Sequence, residues 1–309
     1  MDRSSGHGRE SRLSRVDTGD LVDRWGTTTT FGPEGTPVRC GVSGGADSLA
    51  LMALAVAMGY AVTAVHVDHG QRPNSHGEAE RVAAYANEVG ASFESAHVVV
   101  SPGANLEARM RAARYELLGL DCATGHTMDD QAETVLINLM RGSGVRGLGA
   151  MQPGHRRPIL SLRRSDTEAI CAAMAWEPFM DPTNTDPSFV RNRVRRELVP
   201  LLSAIAGRDV IPLLARTADH ARSTVGVVES VARELDASDA IALAGAPDAV
   251  AACALQRWMQ DQTDEEHPID TKSVERVLGV ARGEAIAAEV AGGYRVSRSK
   301  QRLRVEPIT

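Results

Sequence analysis

Six consecutive residues, Ser43-Gly44-Gly45-Ala46-Asp47-Ser48, have the composition of a phosphate-binding turn. Two glycines let the backbone turn sharply and bring its N–H groups close to a ligand. A helix starting directly after them adds the positive end of its dipole. Ser43 and Ser48 can each donate to an oxyanion, and Asp47 can hold a magnesium ion that screens the phosphates. No lysine follows the second glycine, which excludes the kinase and GTPase types of loop. An ordinary strand-to-helix turn capped by Ser and Asp would use the same residue types, so the rest of the chain must decide.

Four further groups could do chemistry. His66-Val67-Asp68-His69-Gly70 falls at the carboxyl end of an apolar run, where ligands collect in open α/β sheets. Arg111 and Arg114 are three apart, on one face of a helix. In the run from Gly125 to Thr134, Asp130 and Glu133 share a helix face and His126 comes just before its start; such a carboxylate pair suits an ammonium or a metal. Asp129 in the same turn is accounted for by the helix dipole alone. Lastly, six arginines and no acidic residue lie between Arg141 and Arg164, Arg146 among them, and Arg191, Arg193, Arg195 and Arg196 crowd one short segment. The net charge of −6 gives no global attraction for nucleic acid, so any such site must be a local patch of this kind. On their own both clusters read as solvated faces.

Taken in order, these blocks resemble the PP-loop (N-type) ATP pyrophosphatases, and among them the tRNA(Ile)-lysidine synthetase family. SGGADS matches the PP-loop SGGxDS, HVDHG the segment beside the adenosine, and Asn105-Leu106-Glu107 with Arg111, Arg114 and Tyr115 the arginine helix. Gly125-His126-Thr127-Met128-Asp129-Asp130-Gln131-Ala132-Glu133-Thr134 with Arg141-Gly142-Ser143-Gly144 matches the most discriminating stretch; Asp181-Pro182-Thr183-Asn184 and Arg191-Asn192-Arg193-Val194-Arg195 follow it. The resemblance spans about residues 38 to 205 and implies a two-step ligation using ATP and Mg2+. ATP, held by Ser43 to Ser48 with His66, Asp68 and His69, adenylylates O2 of the wobble cytidine in the CAU-anticodon isoleucine tRNA. Free L-lysine then attacks C2 and expels AMP. The implied roles are Asp47 for magnesium, Arg111 and Arg114 for charge on the phosphate or the activated oxygen, and His126, Asp130 and Glu133 for the lysine amine. Arg141, Arg146, Arg191, Arg193 and Arg195 are then candidates for tRNA phosphate. A PP-loop thiolase is the nearest rival, but no CxxC or catalytic cysteine pair is visible. A non-catalytic ATP-binding module would not need the second charged set.

The elements that must position these groups follow from periodicity. Short apolar runs at Val38–Val42, Ala61–Val67, Phe93–Val100 and Cys122–Thr124 alternate with amphipathic stretches after Ala46, from about Ser75, from Asn105 to Leu118 and from Thr127 to Met140. That alternation predicts an α/β fold, a doubly wound parallel sheet. A helix over about Arg191–Ala206 ends at Gly207. Helices at Ile211–Leu235, Val250–Met259 and Ser273–Val280 and short strands around Gly292-Gly293 then predict a smaller α+β module. The expected division is a weakly ordered tail over 1–36, a catalytic domain over 37–207 and a small tRNA- or substrate-binding domain over 208–309. Leu21 to Trp25 could form one helical turn within that tail.

No apolar stretch reaches the roughly 18 residues of a membrane span. Met1 to Arg15 has no apolar signal core, so the cytoplasm is the expected location. Cys40, Cys122, Cys171 and Cys253 have no metal-ligand spacing and read as buried free thiols. No protein partner is legible, and a homodimer stays open.

Overall fold

The computed structural model describes residues 18–68, 75–97, 109, 118–119, 121–180, 186–263, 269–290 and 292–308. His69, Arg111, Arg114 and the Asp181–Asn184 block lie outside them, as does the helix expected from Asn105 to Leu118 except at Arg109 and Leu118. Four parallel strands, β1 (Val38–Gly41), β2 (Val62–Asp68), β3 (Ser92–His97) and β4 (Ala123–Thr124), form a sheet in the order β3-β2-β1-β4. The chain moves from β1 outward through β2 and β3, then returns to place β4 on the other side of β1. This reversal makes the carboxyl ends of β1 and β4 the switch point of the sheet, where the loops part and leave a crevice.

Helix α2 (Ala46–Ala57) leaves β1, and its residues Leu49 to Ala55 are all fully buried. A helix apolar on every side is stable only with cover all round. The sheet supplies one side, and α1 (Thr18–Trp25) and the later α6 (Arg164–Ala173) pack on α2 as well. The expectation of a weakly ordered tail to residue 36 is corrected from Thr18 onward. Leu21 and Trp25, one helical turn apart, are buried in the main core, and Phe31 packs against Tyr60, whose hydroxyl donates to the Gly32 carbonyl. Helix α3 (Ser75–Val89) joins β2 to β3. Helix α4 (Met128–Met140) leaves β4 and is followed by the single turn α5 (Val145–Leu148).

The helical stretch expected over Arg191–Ala206 is α7 (Val190–Arg193), a π segment at Val194–Leu198 and α8 (Val199–Ala206), ended by Gly207 at φ 63°. After it runs α9 (Ile211–Arg233). The chain divides into two compact units, Met1–Ala218 and Asp219–Thr309. Besides the end of α9, the second unit holds α10 (Ala240–Gly245), α11 (Asp248–Gln262), α12 (Thr271–Arg282) and an antiparallel sheet of β5 (Ala287–Val290), β6 (Tyr294–Ser299) and β7 (Arg302–Pro307). Its own core gathers Leu243, Leu255, Met259, Val277, Val296 and Leu303. Among the described residues no single helix is long and apolar enough to cross a membrane.

Candidate active site

Two loops meet at the switch point. After β1, Gly44 takes φ +89°, a conformation that side chains with a Cβ rarely adopt, and Gly45 in an extended conformation starts α2. The Ser48 hydroxyl accepts from the Ser43 N–H at 3.2 Å and donates to the Gly45 carbonyl at 2.9 Å, with the Ser43 hydroxyl 3.3 Å away. After β4, Gly125 passes so close to α2 that a Cβ on it would lie 2.6 Å from the Asp47 carbonyl oxygen. Only glycine allows this approach, which places the first turns of α2 and α4 side by side. His66, buried on β2, fixes the end of β1 through Nδ1 to the Val42 carbonyl at 2.8 Å. Asp68 ends β2. The His126 Nδ1 lies 2.8 Å from the Thr124 hydroxyl.

The start of α4 is closed by its own side chains. Thr127 precedes it, and Asp130 Oδ2 accepts from the Thr127 N–H at 3.0 Å and from its hydroxyl at 3.1 Å. One turn on, Glu133 is 2% exposed and ringed by guanidinium groups. Arg195 Nε lies 2.6 Å from its Oε1, Arg191 Nε 2.8 Å from its Oε2 and Arg164 Nη2 3.5 Å from its Oε1. The same three arginines come within 3.3–3.4 Å of Asp130 Oδ1. Arg191 and Arg195 therefore point into the site, while Arg193 between them points outward and pairs with Glu197 at 3.0 Å. Arg141 and Arg146 are exposed.

Asp47 completes the set. Its Oδ1 accepts from the Thr167 hydroxyl at 2.5 Å, and its Oδ2 is 3.8 Å from Arg164 Nε. Burial pushes the Asp47 carboxyl up to about 6, against the Thr167 hydrogen bond and Arg164; neighbouring Asp130 adds to the rise. Burial also acts upward on Asp130, but Arg191, Arg164 and the Thr127 N–H outweigh it and hold that carboxyl below its ordinary range. Three carboxylates and three guanidiniums thus neutralise one another, with Arg164 the cation within reach of all three acids. Among the described residues no group of three or more His, Cys, Asp or Glu could hold a metal ion. Asp47 alone still suits magnesium, which commonly takes one or two carboxylates together with phosphate oxygens and water.

Helix α6 was not legible in the sequence, although it brings Arg164 and Thr167 to the site. Its stripe of Thr167, Ile170, Cys171 and Met174 has helical spacing and is buried. That period, with Asp166 in the first turn, was the available signal. Asp129, assigned only to the helix dipole, accepts from Arg163 Nε at 3.0 Å and from the Arg164 N–H at 2.9 Å, which ties the start of α6 to α4. Phe179 was also missed. Its N–H donates to the Gly44 carbonyl at 2.9 Å, and its ring fills the space a Gly44 side chain would need.

A PP-loop domain profile matches residues 29–202. The chain is 38% identical over 288 residues to the tRNA(Ile)-lysidine synthase of Nocardia farcinica, covering 87% of this chain and 90% of that protein. With the tRNA(Ile)-lysidine synthase of Rhodococcus jostii it shares 42% over 225 residues, 70% of this chain and 68% of that one. Among solved structures, the U34-tRNA thiolase NcsA from Methanococcus maripaludis aligns with a TM-score of 0.50 at 14% identity, over 66% of this chain and 78% of that one. At that identity the likeness concerns the fold alone.

Proposed function

The chain belongs to the tRNA(Ile)-lysidine synthase family of PP-loop proteins, and from that premise we propose how its residues divide the reaction. The enzyme is a ligase that uses ATP to join L-lysine to C2 of the wobble cytidine in the CAU-anticodon isoleucine tRNA, through an adenylylated tRNA, releasing pyrophosphate and AMP. The loop from Ser43 to Ser48 would hold the ATP phosphates, and Asp47 would hold a magnesium ion, which when bound would screen the charge of the triphosphate. His66, Asp68 and His69 are assigned to the adenosine by the resemblance of their motif. The role we assign to Arg111 and Arg114, on the family resemblance of their motif, is to balance charge on the phosphate or the activated oxygen. Such catalysis consists of positioning and charge stabilisation and needs no side-chain nucleophile.

One observation carries this reading: Asp130 and Glu133 are held beside the phosphate loop by Gly125 and joined to it through Arg164. Lysine is a zwitterion with an extra ammonium. A self-neutralised set of carboxylates and guanidiniums can open to take it, the acids receiving ammonium and the arginines the carboxylate. Asp130, Glu133 and His126 are the candidate bases for the proton the attacking amine must lose. Arg141, Arg146 and Arg193 remain on the outside for tRNA phosphate, whereas Arg191 and Arg195 act in the pocket where the splayed cytidine arrives. Cys40, Cys122 and Cys171 do not suit sulfur transfer, being buried, and burial pushes the Cys171 thiol up to about 12; Cys253, expected to be buried as well, is half-buried and lies in the second unit. The reaction belongs in the cytoplasm, with its substrates. Mixing the protein with ATP, lysine and an isoleucine tRNA transcript bearing CAU should release AMP and pyrophosphate and form lysidine. AMP release without lysidine, or none that depends on lysine, breaks the proposal.

A further inference from the structure

Arg81, on α3, is exposed, and among the described residues its guanidinium forms no ion pair. Instead it lies over the Phe179 ring, 4.5 Å from the centroid. The same ring fills the place of a Gly44 side chain, where a Cβ would approach Cδ2 to 2.3 Å, and the Phe179 backbone N–H is bound to the Gly44 carbonyl. One aromatic ring therefore separates an uncompensated cation from the turn of the phosphate loop. Charges are felt over roughly 8 Å at physiological salt, so a cation seated one ring away from a phosphate site acts on the anion bound there. Tying up the Gly44 carbonyl also keeps an oxygen dipole from facing an incoming anion.

We infer that Arg81, seated on Phe179, is a phosphate-binding residue for the β- and γ-phosphates of ATP and for the pyrophosphate that leaves. Phe179 is its positioning residue: the ring fixes both the loop and the cation. The α-phosphate and the nucleoside, which remain in AMP, do not depend on this cation. The inference rests on the reading that the loop from Ser43 to Ser48 holds ATP.

Calorimetric binding of inorganic pyrophosphate and of AMP to the full chain tests it without tRNA or lysine. R81Q should weaken pyrophosphate about two- to fivefold, the size of an exposed charge contact, and leave AMP unchanged. R81K should restore most of the loss, and the difference should vanish near 1 M salt, where screening acts within about 3 Å. F179L, melting like wild type, should weaken pyrophosphate in the same direction because Arg81 loses its seat. In turnover the R81Q loss should appear in KM for ATP rather than in kcat. Unchanged pyrophosphate affinity in R81Q overturns the inference, as does equal weakening of AMP, which would mean damage to the whole loop. A raised KM for tRNA with ATP unaffected overturns it too, assigning the cation to the RNA backbone. A wild-type chain that binds pyrophosphate but forms no lysidine would break the functional reading alone, while the variants still decide the role of Arg81.

Discussion

The two halves of the site are built in opposite ways. The side we assign to phosphate is mostly backbone: a turn at Gly44, the start of α2, two serine hydroxyls and one carboxylate, all within six residues. The side we assign to lysine is almost all side chain: Asp130 and Glu133 from α4, Arg164 from α6, Arg191 and Arg195 from the helical stretch after Val190. A backbone cradle is fixed once strand and helix form. A cluster of opposed charges holds its shape only while each member is present, because a buried charge without its partner costs several kcal/mol. Single substitutions should therefore act locally on the first half and collectively on the second.

Asp47→Asn should have the largest effect. If Asp47 holds magnesium as proposed, removing its charge should lower pyrophosphate release on the order of 10²–10³-fold, the scale of losing one preorganised electrostatic contact. The same change should not weaken the fold. With the folded-state pKa near 6 and the ordinary value 3.8, the folded protein binds the proton more tightly, so ionisation of Asp47 lowers stability as pH rises from 3.8 to about 6 and the loss is complete above that. The difference of about two units corresponds to at most roughly 3 kcal/mol. Asp47→Asn removes that cost and keeps the acceptor for Thr167. Melting at pH 8 should match or exceed wild type, with the gap closing toward pH 4. A variant clearly less stable at pH 8 would mean that burial does not strain this carboxylate.

The titration of Asp47 also predicts an acid limb. If Asp47 must be ionised to hold magnesium, proton and metal compete for it, so at limiting magnesium pyrophosphate release should fall as pH drops below about 6, and excess magnesium should restore it. Asp130, held low by its arginines, should contribute nothing to that limb. A rate that stays flat down to pH 5 at limiting magnesium would remove Asp47 from the metal site.

On the lysine side, Glu133→Gln should separate the half-reactions. The isosteric amide takes one charge from the ring of guanidiniums and little volume. Adenylylation should survive, while the lysine requirement rises roughly tenfold to hundredfold, as expected for a charged contact of about 1.5–3 kcal/mol. Adenylylated tRNA should then accumulate, visible as tRNA-bound label from labelled ATP in quenched reactions. Equal loss of both steps would show that Glu133 serves the ATP half through Arg164, and the contrast between the halves would fall.

That contrast also explains what could be read from the sequence. The turn from Ser43 to Ser48 was legible as a strand-to-helix turn because strand, turn and helix are contiguous and each leaves a local mark. The Asp130 and Glu133 pair was legible because both lie on one helix. Arg191 and Arg195 are four apart and share a face as well, but spacing does not say whether a face looks inward, and here it turns on the position of α4. Arg164 read as one of six arginines in a basic stretch because its partners are distant in sequence and its helix has a stripe of Thr and Cys beside Ile and Met. Phe179 left no mark, since its role is to touch a glycine far away in the chain.

The smallest expected effect separates outward from inward in that same arginine run. Arg193 makes an exposed pair with Glu197, four residues on, and solvent and salt screen such surface pairs. Arg193→Ala should therefore barely move the melting temperature or the lysine requirement. If Arg193 meets a tRNA phosphate, the log-log slope of tRNA affinity against salt should flatten by roughly one unit. Arg195→Ala should do the reverse: it removes the guanidinium 2.6 Å from a buried carboxylate, so stability and lysine use should fall while the salt slope stays near wild type. The comparison is best made with both variants on one tRNA preparation, because each serves as the other's control. Flattened slopes in both would put Arg195 on the RNA backbone once tRNA binds, with the Glu133 pair opening to release it. An unaltered slope in Arg193→Ala would leave that residue as part of a solvated face and move the phosphate contact to Arg141 or Arg146.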